Sequence, residues 1–414
     1  MRALLRRRDF RLLAIGQTLS AFGDYAMFLA LAVWVKDLTG SNAAAGLTFL
    51  PFAIPSLFGP ALGVFVDRVS RRRLMIWTDL AAAAVMLALF GVHDAGDIWL
   101  IYVVAFLYGV CVVVYQAARS GLLVGMLPEE ELGDANGLLQ STSQAMRLLA
   151  PLAGAALFAV AGGTFVAGLD AATFVISALF LLAVHATDLE RTEPEAFLPE
   201  LKAGLLHIVH TTDLRRLTIG TAFVTLAVGV TEVAVFAVID QGMHRPPEFL
   251  GVISSVEGAG SVAAGLVVGL AIRRVGEVWT VAAGAVAAGI GLALFGTAAL
   301  VPVFAGSVIL GVAITLFNVA FVTLMQRKTA LEMQGRVMSA ADAATTIPYA
   351  FSFALGAVVV SVVGFRTIYF AEGVALLLAG AYFGWAATTG TTTEPATAEP
   401  ANAEPANAEP ANAD

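Results

Sequence analysis

The chain has 414 residues, 59% of them hydrophobic and 13% charged, with a formal net charge of −8. A soluble domain carries roughly 25% charged residues, so this composition excludes a soluble globular fold. Glu394, Glu399, Glu404, Glu409 and Asp414, all in the C-terminal tail, supply five of the negative charges, so the acidic balance says nothing about partners.

A spanning helix needs about 20 mostly apolar residues. Twelve such segments are predicted, over 12–35, 43–66, 74–92, 98–118, 135–161, 164–186, 217–239, 249–272, 277–297, 302–326, 337–362 and 367–387. None shows the strict period of two that a membrane β-barrel needs. The first segment follows five basic residues, contains Asp24, and is longer than the 7–15-residue core of a cleaved signal; it is read as a span. The second carries Pro51, Pro55 and Pro60, the fifth Pro151 and the eleventh Pro348. Proline is tolerated in a spanning helix when neighbours or water satisfy the freed backbone groups. Between the second and third segments lies the basic turn Gly63-Val-Phe-Val-Asp67-Arg68-Val-Ser-Arg71-Arg72-Arg73, echoed 206 positions later by Gly269-Leu-Ala-Ile-Arg273-Arg274-Val-Gly276. The fourth segment holds Cys111; a single cysteine forbids an internal disulfide and reads as a packing residue. On the eighth, Gly258, Gly260, Gly265 and Gly269 favour close helix approach. Beyond Thr388 the chain is Thr-rich and then repeats Glu-Pro-Ala-Asn-Ala, with no hydrophobic face to bury, so residues 388–414 are expected to be disordered.

Lys and Arg set the orientation. Of 23, five precede Leu12, four lie in 67–73, one is Arg119, four lie in 187–216, two are Arg273 and Arg274, and three lie in 327–336. The loops of the opposite side hold Lys36, Arg245 and Arg366, and Arg147 is inside a segment. Under the positive-inside rule both termini are expected to be cytoplasmic. The polar stretch 187–216 divides the segments six and six and is expected to be a cytoplasmic linker between bundles 1–186 and 217–387. Repeats support that division. Asp9-Phe-Arg11 with Gly16 matches Asp213-Leu-Arg215 with Gly220, and the pairs Gly133/Gly154 and Gly335/Gly356 share one spacing. Asp170 and Glu372 also occupy repeat-related positions. Duplicated bundles of this kind are related by an axis along the membrane normal.

Charged side chains inside a span are costly, by ~2.5–3.5 kcal/mol at the helix centre, and are functional candidates by default. Asp24 and Arg147 are mid-segment, and Glu232 and Glu257 lie in the second bundle. Asp24 and Arg147 are candidates to load and release a proton; a substrate-binding role for Arg147 is also open. Glu232 and Glu257 are candidates for a cationic group or a second proton. Asp79, Asp170 and Glu372 are read as structural. The sequence has no G-x-x-x-x-G-K-[ST] phosphate loop. His93, His185, His207, His210 and His244 show no zinc spacing, and His207 with His210 reads as a solvated face. No metal, cofactor, enzymatic activity or nucleic-acid partner is expected.

The stretch Gly63 to Met75 resembles the loop signature G-x-L-A-D-R-x-G-R-K-x-x-L of the major facilitator superfamily, with Gly63, Asp67, Arg68, Arg71 and Arg72 matching and Phe65, Ser70 and Met75 departing. Asp9-Phe-Arg11, Gly16-Gln-Thr-Leu-Ser20-Ala-Phe-Gly23-Asp24, Leu38-Thr-Gly-Ser41, Arg119, Leu127-Pro-Glu-Glu-Glu-Leu132 and Ala135-Asn136-Gly resemble its drug–proton antiporter branch, typified by macrolide efflux proteins and siderophore exporters. The fourth segment lacks the embedded arginine that many proton antiporters of the superfamily carry there.

The resemblance implies an all-α membrane protein of twelve helices in two pseudo-symmetric six-helix bundles, the major facilitator fold, in which the first and fifth helices are neighbours, so that Asp24 and Arg147 would form an ion pair that loads and releases a proton, or a static pair. It implies that Asp67 faces the N-terminus of the eleventh helix near Val337, where an anion gains roughly 0.3–1 kcal/mol. Arg68, Arg71 and Arg72 would pair with Glu131, Asp134 or Asp342 as a conformational lock when the cytoplasmic side closes; alternatively the arginines, Arg73 above all, only set topology. It further implies a cavity lined by the first, fourth, seventh and tenth helices, with Gln17, Tyr25, Phe28, Tyr108, Tyr115, Gln116, Phe317, Asn318 and Phe321 as candidates. An aromatic lining with few polar groups suits a large amphipathic ligand. The expected activity is proton-coupled efflux of a hydrophobic drug or secondary metabolite, hence antibiotic resistance, by a monomer in the inner membrane bilayer. Uptake or uniport of a small solute, or a non-transporting membrane sensor, are the alternatives.

Overall fold

A computed structural model of the protein describes Leu4, residues 6–59, Leu62, Val66, residues 69–185 and residues 197–389. Every regular element among them is helical. In chain order they are α1 (Arg8–Thr39), α2 (Asn42–Leu47), α3 (Phe49–Ala53), α4 (Arg71–Ala88), α5 (Ile98–Met126), α6 (Glu129–Ala183), α7 (Phe197–His210), α8 (Thr212–Ala237), α9 (Phe249–Val275), α10 (Glu277–Phe295), α11 (Leu300–Arg327), α12 (Leu331–Val362) and α13 (Phe365–Thr389).

Among the described residues, ten helical stretches are long and apolar enough to cross a bilayer. One of them, 134–183, would be about 75 Å long if straight, more than twice the ~30 Å hydrocarbon core. It breaks at Gly162, whose φ of 78° and ψ of 173° interrupt α6. The break falls between the fifth and sixth predicted segments, so α6 contributes two crossings. The predicted second segment, 43–66, differs most from expectation. It is a short apolar stretch, Asn42–Phe58, made of α2, α3 and a 3₁₀ turn at Ile54–Phe58 with Pro55 in its first residues. Pro51 and Pro55 remove backbone donors, which accounts for the piecewise winding. The predicted linker contains α7, whose Gly204 abuts the backbone of Arg336 on α12. The expectation of disorder in 388–414 falls on residues outside those described, apart from Thr388 and Thr389, which end α13.

Helices in lipid gain little from hydrophobic burial against each other, so close approach at small residues decides their packing. The two halves use the same device. A Cβ on Gly154 of α6 would collide with the backbone of Ala26 on α1, and one on Gly356 of α12 would press on the backbone of Val230 on α8. These are the repeat-related glycines, and each joins the first and fifth crossings of its half. The lipid side is apolar: Val160, Leu266 and Trp77 are 89%, 84% and 69% exposed.

The halves meet along the ends remote from the basic loops. A Cβ on Gly46 of α2 would collide with Val233 of α8, one on Gly251 of α9 with Ala155 of α6, and one on Gly258 with Leu148. Phe49 packs on Phe353 of α12 at 5.8 Å between ring centroids. Toward the basic loops, glycines among the described residues border open space. Gly137, Gly265 and Gly335 have nothing within 4 Å of a Cβ position, and Gly269 meets only the Arg273 side chain of its own helix. Of the four α9 glycines expected to make close helix contacts, Gly258 and Gly260 do, whereas Gly265 and Gly269 border open space. The protein is therefore closed on one face and parted on the basic face.

Candidate functional site

Asp24 does not pair with Arg147. Its carboxylate accepts a 2.6 Å hydrogen bond from the Tyr108 hydroxyl of α5, and Tyr108 is 2% exposed. The reason is helical phase. Ala26 is the α1 residue seated on Gly154 of α6, and positions two apart on a helix point about 200° apart. Asp24 therefore faces away from the N-terminal crossing of α6, before Gly162, and into its own half. Asp79 of α4 and Asp170 of α6, each 1% exposed, also lie inside this half. Thr173 donates to the Asp170 backbone carbonyl at 2.7 Å. One carboxylate oxygen of Asp79 and one of Asp170 are buried without a hydrogen-bond partner. No Lys or Arg forms an ion pair with any of the three among the described residues.

Arg147 answers instead to the second half. It is exposed to the gap, next to Leu148, which touches Gly258 of α9. It lies within electrostatic reach of Glu257 of α9 and Glu232 of α8, without an ion pair to either among the described residues. Glu232 accepts a 2.9 Å hydrogen bond from the Tyr349 hydroxyl of α12. The neighbouring Thr231 hydroxyl donates to Glu372 of α13, and the Tyr369 hydroxyl donates to the Thr231 carbonyl at 3.2 Å. Each half thus holds one carboxylate of its first crossing by a tyrosine. Only the second half's carboxylates face a guanidinium, and it comes from the other half. The three groups sit where the closed contacts end and the gap begins.

The cavity candidates divide. On α6, Gln140, Gln144 and Arg147 are exposed at helical spacing; polar side chains at membrane depth face a water-filled gap rather than lipid. Gln116 of α5 and Asn318 of α11 are exposed, with the Asn318 amide donating to Ile314 O at 2.9 Å. Tyr25 and Ser143 hydroxyls are 3.1 Å apart, linking α1 and α6. Tyr115 and Gln17 carry buried polar atoms without partners. Phe28 packs on Phe49 and Phe52, both at 5.0 Å. Phe317 and Phe321, expected at the cavity, are 8% exposed. They stack on each other at 6.5 Å, and Phe317 packs edge-on against Phe383 of α13. They belong to the core of the second half: the Phe317 backbone and Cβ lie against Gly284 of α10, and its ring reaches Phe383 of α13.

Gly63, Asp67 and Arg68 of the expected lock lie outside the described residues. Arg71 lies against Gly121 of α5. Arg72 donates to Leu181 O at 2.9 Å and Leu182 O at 2.6 Å, so it caps the C-terminus of α6, where unpaired carbonyls and the helix dipole favour a cation. That replaces the expected pairing of Arg72 with Glu131, Asp134 or Asp342. Glu131 instead binds Arg7 at 2.9 Å. Both contacts stay within the first half, consistent with the parted basic face.

Sequence reasoning missed two features. Tyr349 reads as one more aromatic, although it follows Pro348 directly in the eleventh predicted segment. Lys36 and Asp240 read as loop charges. The structure joins them by a 2.7 Å ion pair between the halves. Among the described residues no cluster of His, Cys, Asp or Glu is arranged to hold a metal ion.

Two half-bundles of membrane helices, joined on one face and parted on the other, with embedded charges at the junction, define a multi-pass membrane protein of duplicated architecture. The sequence model of the Major Facilitator Superfamily matches residues 13–228 and 217–412, and the chain belongs to that family. It is similar to macrolide efflux protein A of Streptococcus pyogenes, 26% identical over 267 residues, which cover 62% of this chain and 64% of that protein. It is also similar to the uncharacterized MFS-type transporter YfiS of Bacillus subtilis, 24% identical over 382 residues, covering 89% and 90% of the two chains. Among solved structures, a bacterial homologue of the iron transporter ferroportin in its inward-facing state superposes with a TM-score of 0.72 at 18% identity, covering 91% of this chain and 98% of that one.

Proposed function

We propose that this protein is a secondary-active efflux transporter that exports a hydrophobic or amphipathic drug or secondary metabolite in exchange for protons. The observation that carries the reading is the junction of Arg147 with Glu232 and Glu257. Two carboxylates and one guanidinium from opposite halves lie within electrostatic reach of each other, where the closed and parted regions adjoin. One negative charge is left in excess there, and a charge at this depth is costly unless balanced. A proton on either carboxylate balances it in one state. A substrate that binds at the same place relieves the need for that proton, and the two ligands then alternate.

Alternating access follows from the same geometry. The halves rock about the midplane site, breaking the contacts at Gly46, Gly251 and Gly258 as the basic face closes. With the basic loops cytoplasmic, the parted face loads substrate from inside the cell and the other face releases it. Similarity to a macrolide efflux protein supports export over uptake; the placement is the inner membrane with both termini cytoplasmic.

The deciding measurement is efflux from proteoliposomes across a panel of antibiotics, with an imposed proton gradient and again after an uncoupler. Gradient-driven export of at least one compound, lost on uncoupling, is expected. Movement indifferent to the gradient would assign uniport, and no movement of any compound would remove the transport reading.

A further inference from the structure

Among the described residues, Lys36 and Asp240 form an ion pair between the halves on the closed face, and its geometry is unusual. The Lys36 ammonium lies 2.7 Å from the Asp240 carboxylate and 2.7 Å from the Gly40 carbonyl. Gly40 ends α1 in the left-handed conformation, with φ 65°, and its N–H donates back to the Lys36 carbonyl at 2.8 Å. The lysine side chain therefore caps its own helix C-terminus, a favourable place for a cation, and is held in position before it meets Asp240. Asp240 lies in the π-helical turn Val238–Gly242 that ends the seventh crossing; such turns recur at functional sites. The Lys36 side chain is 8% exposed and the Asp240 side chain 48%.

The two residues are 204 positions apart. That is the offset relating Asp9 to Asp213 and Gly16 to Gly220, so Lys36 and Asp240 are the same position in the two repeats. Points related by a two-fold axis touch only where they lie on it. The pair therefore sits on the pseudo-symmetry axis, at the centre of the closed face. A strictly symmetric duplicate would place like charges against each other there and repel. Divergence to lysine in one repeat and aspartate in the other turns that contact into attraction.

We propose that Lys36 and Asp240 form an on-axis electrostatic latch that holds the face remote from the basic loops shut and must part each time that face opens. It complements the apolar contacts of Gly46 with Val233 and Phe49 with Phe353. Those contacts tolerate small sliding, whereas an ion pair on the axis is lost as soon as the two helix ends separate. The naming of this face as extracellular rests on the functional reading above; the latch itself does not.

The test is distance measurement by pulsed electron resonance on the full chain in detergent and nanodiscs. Spin labels replace Ala95 and Ala299, exposed at the closed face in the first and second halves, in a Cys111→Ala background. The parent is expected to show one short distance. Lys36→Met and Asp240→Asn are each expected to add a longer population, raised about tenfold over the parent, which corresponds to a charge-assisted bond of ~1.4 kcal/mol. The double variant is expected to be no more open than the single ones, because one pair is lost once, and Lys36→Arg is expected to stay closed. Unchanged distances in both single variants, or additive opening in the double variant, would overturn the latch. Since no substrate is needed, these results stand whether or not export is detected, and an export failure with a working latch would overturn only the functional reading.

Discussion

The two halves hold a half-buried carboxylate in the same manner yet use it differently. In the first, Asp24 of α1 receives the Tyr108 hydroxyl at 2.6 Å; in the second, Glu232 of α8 receives the Tyr349 hydroxyl at 2.9 Å. Asp24 finds its partner inside its own half and lies near two further buried acids. Glu232 and Glu257 lie opposite Arg147, which belongs to the other half. Rocking of the halves leaves the Asp24 contact intact and changes the surroundings of Glu232 and Glu257. The second half's acids are therefore placed to sense the opening, and Asp24 to hold its half together or to carry a proton within it.

The largest effect should come from the glycine that lets the first half assemble. Gly154→Val puts a branched side chain against the Ala26 backbone, and overpacking of this kind against an immobile backbone exceeds the usual 1–3 kcal/mol. Little or no protein in the membrane fraction is expected; normal levels would show that α1 and α6 can separate there. Gly356→Val tests whether the second half is equally intolerant.

Arg147→Leu should lower export more than tenfold at unchanged membrane level, because it leaves two carboxylates facing each other without a cation. The choice of suppressor then separates the two pairings. Adding Glu257→Gln should recover part of the activity, and adding Asp24→Asn should not. Rescue by the Asp24 change would restore the pairing expected from sequence and undo the comparison of the halves.

Removing one hydroxyl tests the tyrosine clamps side by side. Tyr108→Phe and Tyr349→Phe each delete a hydrogen bond to a carboxylate, worth about 1.5–3 kcal/mol. Both should lower the melting temperature in detergent by a few degrees. Only Tyr349→Phe should also change the dependence of export on the proton gradient. Equal effects on that dependence would mean that Asp24 senses the opening as well.

The smallest effect is expected at the parted face. Gly265→Ala meets open space and should stabilise by about 0.5–1 kcal/mol through helix propensity, read as a small rise in melting temperature. The same change at Gly258, where Leu148 is in the way, should destabilise. If Gly265→Ala impairs export while leaving stability intact, the faces close tightly at that glycine in another state.

Hydropathy, the bias of basic residues and the repeat spacing made the membrane class, the division into halves and the embedded acids legible, since each is a property of local composition or of spacing along the chain. The break in α6 was legible too, as the gap between two apolar runs, although its form, a positive φ at Gly162, was not. The partners of the charges were not legible. Asp24 and Arg147 are both mid-membrane and on contacting helices, and pairing them is reasonable by depth alone. Depth leaves out rotation about the helix axis, and a shift of two residues reverses the face. The same limit misplaced Phe317 and Phe321, which carry the composition of a cavity lining but are buried in the core of the second half.

The repeat offset contained one further message that only coordinates could release. Lys36 and Asp240 are 204 positions apart, which marks them as equivalent but not as touching, since most equivalent positions lie far from the axis. By itself the sequence determined that the chain crosses a membrane many times, in two related halves with basic loops gathered on one side, because hydrophobic length and charge are summed over neighbours in the chain. Tertiary structure decided which side is shut, which acids face the lone embedded arginine, and which charges meet on the axis. Those depend on helix phase, crossing and the placement of a symmetry axis, and no one-dimensional sum contains them.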